Sequence, residues 1–352
     1  DIDRGGVFAQ IIGTLDLITP EERDRVCGIV INKFRGDAAL FADGVRFLTE
    51  RTGIPVLGVL PFLRDLALDQ EDSLDVDIRR QVAFQRDCIN LAVILLPHMS
   101  NFTDFNALAG EPDVALRYAA TPEEAAGADA ILLPGSKTTL ADLAYLRGKG
   151  FESLLHGHVH RGGEVVGICG GYQMLGRRIA GPAAVESGGS GVVVGRLEVT
   201  AVLVWGRSAE RVGGRALYLG GPAAPPVRGY LIHMGRTDRH GHRACFELQG
   251  KEPSPAGPRD VTERDDAWLD GAMSDDGLVW GTYIHGLFDE PLCRRAWLNR
   301  LRIRKGLPAA DMALSQQVNR QRSGAMDRWA DHVERHLDLA PILAFLRQGG
   351  TV

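Results

Sequence analysis

The chain has 352 residues, a length that by itself predicts about two domains. Apolar residues make up 45% of it and charged residues 24%, a balance that indicates a globular protein and excludes a disordered or fibrous chain. The net charge of −5 does not indicate binding to nucleic acid or to an anionic membrane. We therefore expect a small-molecule partner, no nucleic acid and no membrane, and the sequence leaves an oligomer open.

The cysteines lie apart from one another and form no C-x-x-C pair, which argues against a disulfide framework or a zinc knuckle. We therefore expect a reducing, cytoplasmic location. The longest apolar runs, such as 91–97, are too short to span a bilayer, and no signal segment opens the chain. The chain begins at Asp1 in a pattern typical of a strand ending in a loop, so we expect an upstream region to be missing. The cysteines are Cys27, Cys88, Cys169, Cys245 and Cys293.

The first segment alternates short apolar runs with a helical stretch. Residues 26–32 and 54–61 are predicted strands, and residues 38–51 are a predicted helix between them. This βαβ pattern predicts a parallel sheet covered by helices. The acidic stretch 68–77 has no large apolar cluster, so we place a linker there and a domain boundary between it and Cys88.

A second α/β segment follows the linker. Its apolar runs predict buried strands, and the longer periodic stretches predict helices at 138–147 and 150–161. After Gly181 the period-2 patches, such as 191–204, predict antiparallel strands appended to the parallel sheet. Residues 251–266 are predicted as an exposed loop, and 291–345 as closing helices. The predicted buried strands are 91–97, 114–118, 130–134 and 165–169.

The strongest motif is a G-x-C-x-G centred on Cys169. An apolar strand leads directly into it and a helix follows, which is the context that a nucleophile elbow requires. Glycines on both sides let backbone and substrate approach a strained turn, and the start of a helix favours the reactive thiolate. Cys169 is therefore the candidate nucleophile, although a buried structural cysteine at a tight strand-helix junction gives the same pattern.

Two further features favour the catalytic interpretation. Gly135 follows a predicted strand in a Leu-Pro-Gly-Ser turn, where its N–H and that of Gly170 could face a developing oxyanion. His285 ends an apolar strand far downstream of Cys169, as a Cys/His pair assembled by the fold requires. Taken alone, the turn is equally typical of a loop before a helix, and a lone His on an apolar strand is more often a core residue.

Together these residues resemble the class I glutamine amidotransferases and, more narrowly, the cobyric acid synthase family. The resemblance implies the C-terminal part of a dethiobiotin-synthetase-like parallel-sheet domain, followed by a flavodoxin-like class I glutamine amidotransferase domain. We expect residues 1–85 to be the partial synthetase domain, 86–305 the amidotransferase domain, and 306–352 helices packed on the latter. The matching stretches are DIDRGGVFAQ (1–10), VINKFRGD (30–37), TGIPVLGVLP (52–61), SNFTDFNAL (100–108), LPGSKTT (133–139), GICGGYQMLG (167–176), HMGRT (233–237) and GTYIHGLFD (281–289).

The activity that the resemblance implies is glutamine-dependent and ATP-dependent. Ammonia released from glutamine would amidate the b, d, e and g carboxylates of adenosylcobyrinic acid a,c-diamide, a corrinoid, to give cobyric acid. The cofactors would be ATP and Mg²⁺ in the complete enzyme, with none bound tightly by this chain. The sequence departs from the family in having no G-x-x-x-x-G-K-[ST] phosphate loop.

The group that orients His285 stays open. Typical class I enzymes place Glu two residues beyond this His, and here that residue is Leu287. Asp289 or a backbone carbonyl could serve instead.

Weaker candidates lie near the start of the chain. Asp1 and Asp3 could hold Mg²⁺, and the Arg4-Gly5-Gly6 turn could face a phosphate or a substrate carboxylate. Asn32 resembles an adenine-recognising Asn, with Lys33 beside it in the ATP site, and His233 could line the glutamine pocket. A metal site is not predicted, because His156, His158 and His160 fit a solvated helix better than a ligand cluster.

Three other functions remain open at this point. One is a different ATP-dependent amidotransferase, such as cobyrinic acid a,c-diamide synthase or an enzyme that amidates a cell-wall precursor. The second is a Cys-dependent hydrolase of the α/β-hydrolase type, which would place an acid residue between nucleophile and His in the chain. The third is a non-catalytic binding module, which the intact Cys169 and His285 argue against.

Overall fold

A computed structural model describes residues 1–63, 66, 80–181, 189–192, 194–202, 208–220, 223–233, 236–249 and 267–347. The predicted linker at 68–77 and the predicted loop at 251–266 lie outside these residues. The chain divides into two compact units, residues 1–68 with 320–352, and residues 69–319. Among the described residues, no helix is both long and apolar enough to cross a bilayer.

Two of the described helices begin where the sequence supplies a side-chain cap. Thr19 and Glu22 form a capping box around Pro20, and Thr121 caps the helix that Pro122 opens. The helices are α1 (Val7–Leu17), α2 (Pro20–Arg23), α3 (Ala42–Thr52), α4 (Asn106–Ala109), α5 (Pro122–Ala125), α6 (Thr139–Gly148), α7 (Phe151–His160), α8 (Gly170–Leu175), α9 (Pro291–Arg304), α10 (Met312–His336) and α11 (Ala340–Arg347).

The strands include the predicted apolar runs and many shorter segments. They are β1 (Ile29–Phe34), β2 (Val56–Pro61), β3 (Ile89–Ile94), β4 (Met99–Ser100), β5 (Val114–Ala119), β6 (Ala130–Leu133), β7 (Gly135–Ser136), β8 (Glu164–Ile168), β9 (Arg178–Gly181), β10 (Gly189–Val192), β11 (Thr200–Val202), β12 (Ser208–Ala216), β13 (Pro226–His233), β14 (Arg236–Asp238), β15 (Phe246–Gln249), β16 (Trp268–Asp270), β17 (Ala272–Met273), β18 (Val279–Thr282) and β19 (Ile284–His285).

The first unit is built on the parallel pair β1 and β2. Apolar side chains from α1, β1 and α3, among them Leu15, Ile31 and Leu48, form its core. The C-terminal residues belong to this unit: Asp338 N–H donates to the carbonyl of Leu57 at 2.7 Å. The expectation was that 306–352 packs on the amidotransferase domain; residues 306–319 do belong to the second unit, but 320–352 belong to the first. The backbone of β2 pairs with Leu337 and Asp338, directly after α10.

The second unit contains a six-stranded sheet in the order β17-β18-β8-β6-β3-β5. Its strands run parallel apart from β17, as the continuous apolar runs predict. Ile89, Val93, Ile131 and Val165 are fully buried within it. The predicted α/β class with parallel strands is therefore confirmed.

Mostly antiparallel strands follow the parallel core, as the period-2 patches predict, although β11 pairs with β9 in parallel. One sheet has the order β16-β15-β12-β13-β19, and another has the order β10-β9-β11-β14. Within the first, Tyr230 of β13 lies opposite His285 of β19. The appended sheet thus supplies the strand that carries the candidate base.

The parallel register brings the candidate residues to one edge of the six-stranded sheet. Leu133 lies beside Gly167, and Ile168 lies beside Thr282, so β6, β8 and β18 end together. The Gly135 turn, Cys169 and His285 come within a few residues of these ends. Since the carboxyl ends of parallel strands form the usual crevice for ligands, a site is expected at this edge.

Candidate active site

Cys169 stands at a strained turn between β8 and α8. Its φ is 51° and its ψ is −110°, a backbone conformation that residues with a Cβ rarely adopt. A Cβ added to Gly167 would lie 2.6 Å from the carbonyl oxygen of Gly171, and one added to Gly171 would overlap the carbonyl oxygen of Leu133. The glycines of the G-x-C-x-G motif are therefore required by close backbone approach.

The backbone and the thiol of Cys169 are both held. Its N–H donates to the carbonyl of Thr282 at 2.8 Å, which ties the turn to the end of β18. Its Sγ lies 3.4 Å from the carbonyl oxygen of Ile232. The thiol is close enough to the imidazole of His285 to raise the pKa of that ring. The predicted nucleophile and base are thus brought into contact.

His285 is oriented by the carboxylate of Asp104. Its Nδ1 lies 2.7 Å from one carboxylate oxygen, and the other oxygen accepts from Gly286 N–H at 2.8 Å. Both side chains are buried, with exposed fractions of 1% for His285 and 3% for Asp104. Because Nδ1 is engaged by Asp104, Nε2 is the ring nitrogen that remains for another partner.

The protonation of His285 is set by opposing effects. Burial lowers the pKa of the imidazole, while the hydrogen bonds to Asp104 and Cys169 and the charge of that carboxylate raise it, with a net result of about 10. The imidazolium is therefore the favoured form at neutral pH. A protonated imidazole next to a thiol can stabilise a thiolate.

The ring of His285 is enclosed on its remaining sides. Tyr230 stacks against it with ring centroids 5.5 Å apart and planes 21° apart. The amide nitrogen of Asn101, a residue with φ of 53°, lies 2.9 Å from Nδ1 and 3.1 Å from Nε2. A Cβ on Gly135 would lie 3.3 Å from the ring carbon Cε1. These contacts leave the imidazole little freedom to rotate.

The predicted oxyanion turn lies against the start of α8. A Cβ on Gly170 would lie 2.9 Å from the amide nitrogen of Ser136. In the β4–β7 pair, Lys137 N–H donates to the carbonyl of His98 at 2.9 Å and Met99 lies opposite Ser136. In such a ladder the hydrogen bonds fall on either side of Ser136, so the N–H of Ser136 points away from β4, whereas the N–H of Gly135, the predicted oxyanion donor, points towards β4.

Asp142 holds this turn from within. Its buried carboxylate accepts from Ser136 Oγ at 2.6 Å and lies 2.9 Å from His98 Nδ1. Ser136 Oγ in turn accepts from Thr138 N–H at 3.0 Å. The turn beside Gly135 is therefore a fixed structure, as a preorganised oxyanion site requires.

Comparisons with known proteins show to which family the chain belongs. The CobB/CobQ-like glutamine amidotransferase domain matches residues 90–292. The cobyric acid synthase of Klebsiella pneumoniae subsp. pneumoniae is 44% identical over 99% of this chain and 66% of its own length. That of Citrobacter koseri is 43% identical over 99% of this chain and 67% of its own length. The chain belongs to the cobyric acid synthase family.

The family assignment confirms the resemblance drawn from the motifs and the predicted enzyme class, a glutamine amidotransferase. The cobyric acid synthase of Chloroflexus aggregans is also similar, at 43% identity over 96% of this chain and 64% of its own length. The chain thus spans about two thirds of the length of these relatives. Among solved structures, PurLQS from Thermotoga maritima is 14% identical with a TM-score of 0.41, over 67% of this chain and 98% of that one.

Asp104 is the residue of the site that the sequence did not identify. It lies within the SNFTDFNAL stretch, which matches the cobyric acid synthase family but has no motif of its own. The acid proposed from the sequence, Asp289, follows His285 closely, whereas Asp104 precedes it by 181 residues. Two features of the sequence pointed to Asp104. It is a carboxylate within a stretch that matches the cobyric acid synthase family, and the Glu that usually follows the His by two residues is absent from this chain.

The weaker candidates near the start of the chain come together in the first unit. Lys33 Nζ lies 3.0 Å from a carboxylate oxygen of Asp1, and Arg35 pairs with Asp3 at 2.8 Å. Hydrogen bonding to Arg35 lowers the pKa of Asp3. Lys33 has a positive φ of 59°, and its N–H donates to the side-chain oxygen of Asn32 at 2.8 Å.

The other candidates are placed only in part. Gly5 and Gly6 have φ of 69° and 62°, the conformation that favours glycine in such a turn. The side chains of Arg4 and His233 lie outside the part of the chain that the structure describes. His158 is buried and its Nε2 lies 3.2 Å from the carbonyl oxygen of Glu164, so it has a packing role.

Proposed function

We propose that residues 69–319 form a glutaminase in which Cys169, His285 and Asp104 release ammonia from glutamine. The observation that carries this proposal is the buried chain of contacts from Asp104 through His285 to the thiol at the strained turn. The membership of the chain in the cobyric acid synthase family supports it. Glutamine is accordingly the proposed substrate of this unit.

The arrangement suits a thioester mechanism. The Cys169 thiolate attacks the side-chain amide carbon of glutamine, and the backbone amides of Gly170 and Ser136 donate to the oxyanion. His285 gives its proton to the nitrogen, the C–N bond breaks, and ammonia leaves a glutamyl thioester. Water then loses a proton to His285 and attacks the thioester. Glutamate leaves, and the thiolate and imidazolium return.

A cavity beside His285 fits the amino-acid end of glutamine. It has a volume of about 420 Å³ and includes Tyr230 and Gly286, which both adjoin His285. Arginines and carboxylates line it, so it offers partners for both the α-carboxylate and the α-ammonium group. The charged lining residues are Glu210, Arg211, Arg228 and Asp289.

The ammonia would serve the complete enzyme. We propose that it amidates the b, d, e and g carboxylates of adenosylcobyrinic acid a,c-diamide, after their activation by ATP, to give cobyric acid in cobalamin biosynthesis. The cobyric acid synthase relatives support this substrate. The corrinoid and ATP would bind to a dethiobiotin-synthetase-like domain, of which residues 1–68 with 320–347 form part.

The residues present fit part of a site for ATP and Mg²⁺. Asp1, Asp3 and Lys33 lie close together, and carboxylates beside a lysine are groups that hold a magnesium-nucleotide. When bound, Mg²⁺ would neutralise phosphate charge. Arg4, Gly5, Gly6 and Asn32 adjoin these residues and keep their proposed roles in substrate and nucleotide binding. His233 keeps its proposed place near the glutamine, next to Ile232.

The α/β-hydrolase alternative fits less well. In that fold the acid residue lies between nucleophile and His along the chain. Here the order is Asp104, Cys169, His285. The free state of all five cysteines supports the proposal of a reducing, cytoplasmic location.

Glutamine hydrolysis by the complete protein tests the proposal. We expect Cys169→Ala and His285→Ala to abolish glutamate release while leaving the circular dichroism spectrum unchanged. Cys27→Ala, which removes an exposed cysteine, is the matched control and should keep the wild-type rate. A Cys169→Ala protein that hydrolyses glutamine at the wild-type rate would eliminate the mechanism.

A further inference from the structure

Asp104 lies in a short irregular segment, and His285, the last residue of β19, stands directly before another. Asp104 lies in the 3-10 helix Phe102–Phe105, and His285 is followed by Gly286 and a second 3-10 helix, Leu287–Asp289. Such short turns contain few hydrogen bonds of their own. The 2.7 Å contact between Asp104 and His285 therefore depends on what holds the two segments together.

A single buried guanidinium connects both segments. Arg294 of α9 is fully buried, and its Nε donates to the carboxylate of Glu111 at 2.6 Å. Glu111 follows α4, which continues directly from the turn that holds Asp104. The other guanidinium nitrogens donate to oxygens of Phe288, Asp289, Ser315 and Asn319.

Two of these contacts fix the segment after His285. Arg294 donates to the carbonyl of Phe288 and, at 3.3 Å, to that of Asp289. Both carbonyls belong to the turn that begins directly after His285 and Gly286. The guanidinium of Arg294 thus bonds both to the segment that follows Asp104 and to the segment that follows His285. A lysine ammonium is a single point of charge and could not make all of these hydrogen bonds.

We infer that Arg294 is a positioning residue for the Asp104–His285 pair. Its hydrogen bonds to Glu111, Phe288 and Asp289 hold the two turns at the separation that the bond between Asp104 and His285 needs. The inference rests on the proposed glutaminase function. The charged or titratable groups that face His285 are Asp104, Cys169 and Tyr230.

The neighbouring arginine offers a matched control. Arg295 is equally buried and pairs with the same Glu111, as well as with Asp113 at 2.8 Å. Its Nε donates to Ser315 Oγ at 3.0 Å. Its contacts do not include the carbonyls of Phe288 and Asp289 among the described residues. Replacing it perturbs the same buried cluster without releasing the turn after His285.

The test compares Arg294→Lys with Arg295→Lys in the complete protein. We expect Arg294→Lys to lower kcat for glutamine hydrolysis about tenfold to a hundredfold with KM changed less than about twofold, since small misplacements cost this much. The alkaline limb of its pH profile should move to lower pH. Arg295→Lys should keep the kcat and the pH profile. Equal changes in both variants would overturn the inference.

A second readout separates this inference from the proposed function. NMR titration of the imidazole of His285, assigned with His285→Gln, reports its pKa whether or not glutamine is hydrolysed. We expect that pKa to fall in Arg294→Lys and to stay unchanged in Arg295→Lys. Loss of activity in the wild type would contradict the proposed function, and an unchanged His285 pKa in Arg294→Lys would contradict the positioning role.

A milder variant covers the case in which Arg294→Lys does not fold. Asn319 of α10 accepts from Arg294 at 2.9 Å and donates to the carbonyl of Asp289 at 3.0 Å. Asn319→Ala should lower kcat and the pKa of His285 in the same direction by a smaller factor. Wild-type values for both in this variant would count against the inference.

Discussion

At the scale of single residues, His285 shows how burial and hydrogen bonding oppose one another. Burial alone would favour the neutral imidazole, but Asp104 and Cys169 favour the charged one, and the pKa rises to about 10. The carboxylate can do this because it is buried as well and accepts from Gly286 N–H. A proton is therefore held where the departing ammonia would need it.

Replacing Asp104 tests this assignment. In Asp104→Asn the negative charge is lost, so the pKa of His285 falls and the imidazolium is lost at lower pH. We expect the alkaline limb of the rate profile to move to lower pH and kcat to fall about a hundredfold or more at pH 7. Glutamate release measured between pH 6 and 10, with roughly unit steps, checks both.

The exposed Asp275 supplies the control for that substitution. Asp275→Asn makes the same chemical change on the surface and should leave the rate and its pH profile as in the wild type. If Asp104→Asn shows the same unshifted profile, another group orients His285.

At the scale of elements, the sequence predicted the parallel core because its strands are continuous apolar runs. The predicted strand 130–134 corresponds to β6 (Ala130–Leu133), and the predicted helix 150–161 to α7 (Phe151–His160). The predicted helix 38–51 divides at Ala42, because Asp37 caps a 3-10 turn before the α-helix. The local pattern of apolar and capping residues determines where these elements begin and end, so they can be predicted from the sequence.

Other elements are decided by partners far along the chain. β4 and β7 have two residues each and exist because Met99 and Ser100 pair with the Gly135 turn. No periodicity predicts strands that short. The same reason explains why Asp104 was missed, since its role depends on a residue 181 positions away.

The strand-turn-helix elbow makes its own prediction. A Cβ at Gly171 would overlap the carbonyl oxygen of Leu133 and lie 2.8 Å from that of Pro134. These are backbone atoms that cannot move aside, so we expect Gly171→Ala to lower the free energy of unfolding by about 2 kcal/mol or more and to abolish glutamine hydrolysis. Chemical denaturation and the hydrolysis assay measure the two effects.

Gly148 provides the comparison for Gly171. It ends α6, and an added Cβ would meet nothing within 4 Å. Gly148→Ala should be neutral or stabilise by up to about 1 kcal/mol, because alanine reduces the freedom of the unfolded chain. Equal stability of the two variants would mean that the turn at Cys169 has room that the structure does not show.

At the scale of the whole molecule, the site is assembled from three distant parts of the second unit. Asp104, Cys169 and His285 come from the start, middle and end of the residues that the amidotransferase domain matches. Motifs in the sequence were sufficient to single out Cys169 and His285, which the structure brings to the same edge of the sheet. The sequence did not predict the unit to which the C-terminal helical residues belong, because a helical pattern does not indicate the surface on which the helix packs.

The grouping of the C-terminal residues with the first unit can be tested at Gly58. A Cβ there would overlap the carbonyl oxygen of His336 and lie 2.6 Å from a side-chain atom of Leu337. We expect Gly58→Ala to speed hydrogen exchange in residues 332–347. Gly13→Ala, where an added Cβ meets nothing within 4 Å, should leave it unchanged. Wild-type exchange in Gly58→Ala would contradict the pairing of β2 with these residues.

Trapping the covalent intermediate tests the central proposal most directly. The complete protein is mixed with glutamine, quenched in acid at a series of times, digested and examined by mass spectrometry. We predict a glutamyl group on the peptide that contains Cys169, present during turnover and lost when glutamine is consumed. Continued release of glutamate while that peptide stays unmodified at every time would contradict the account.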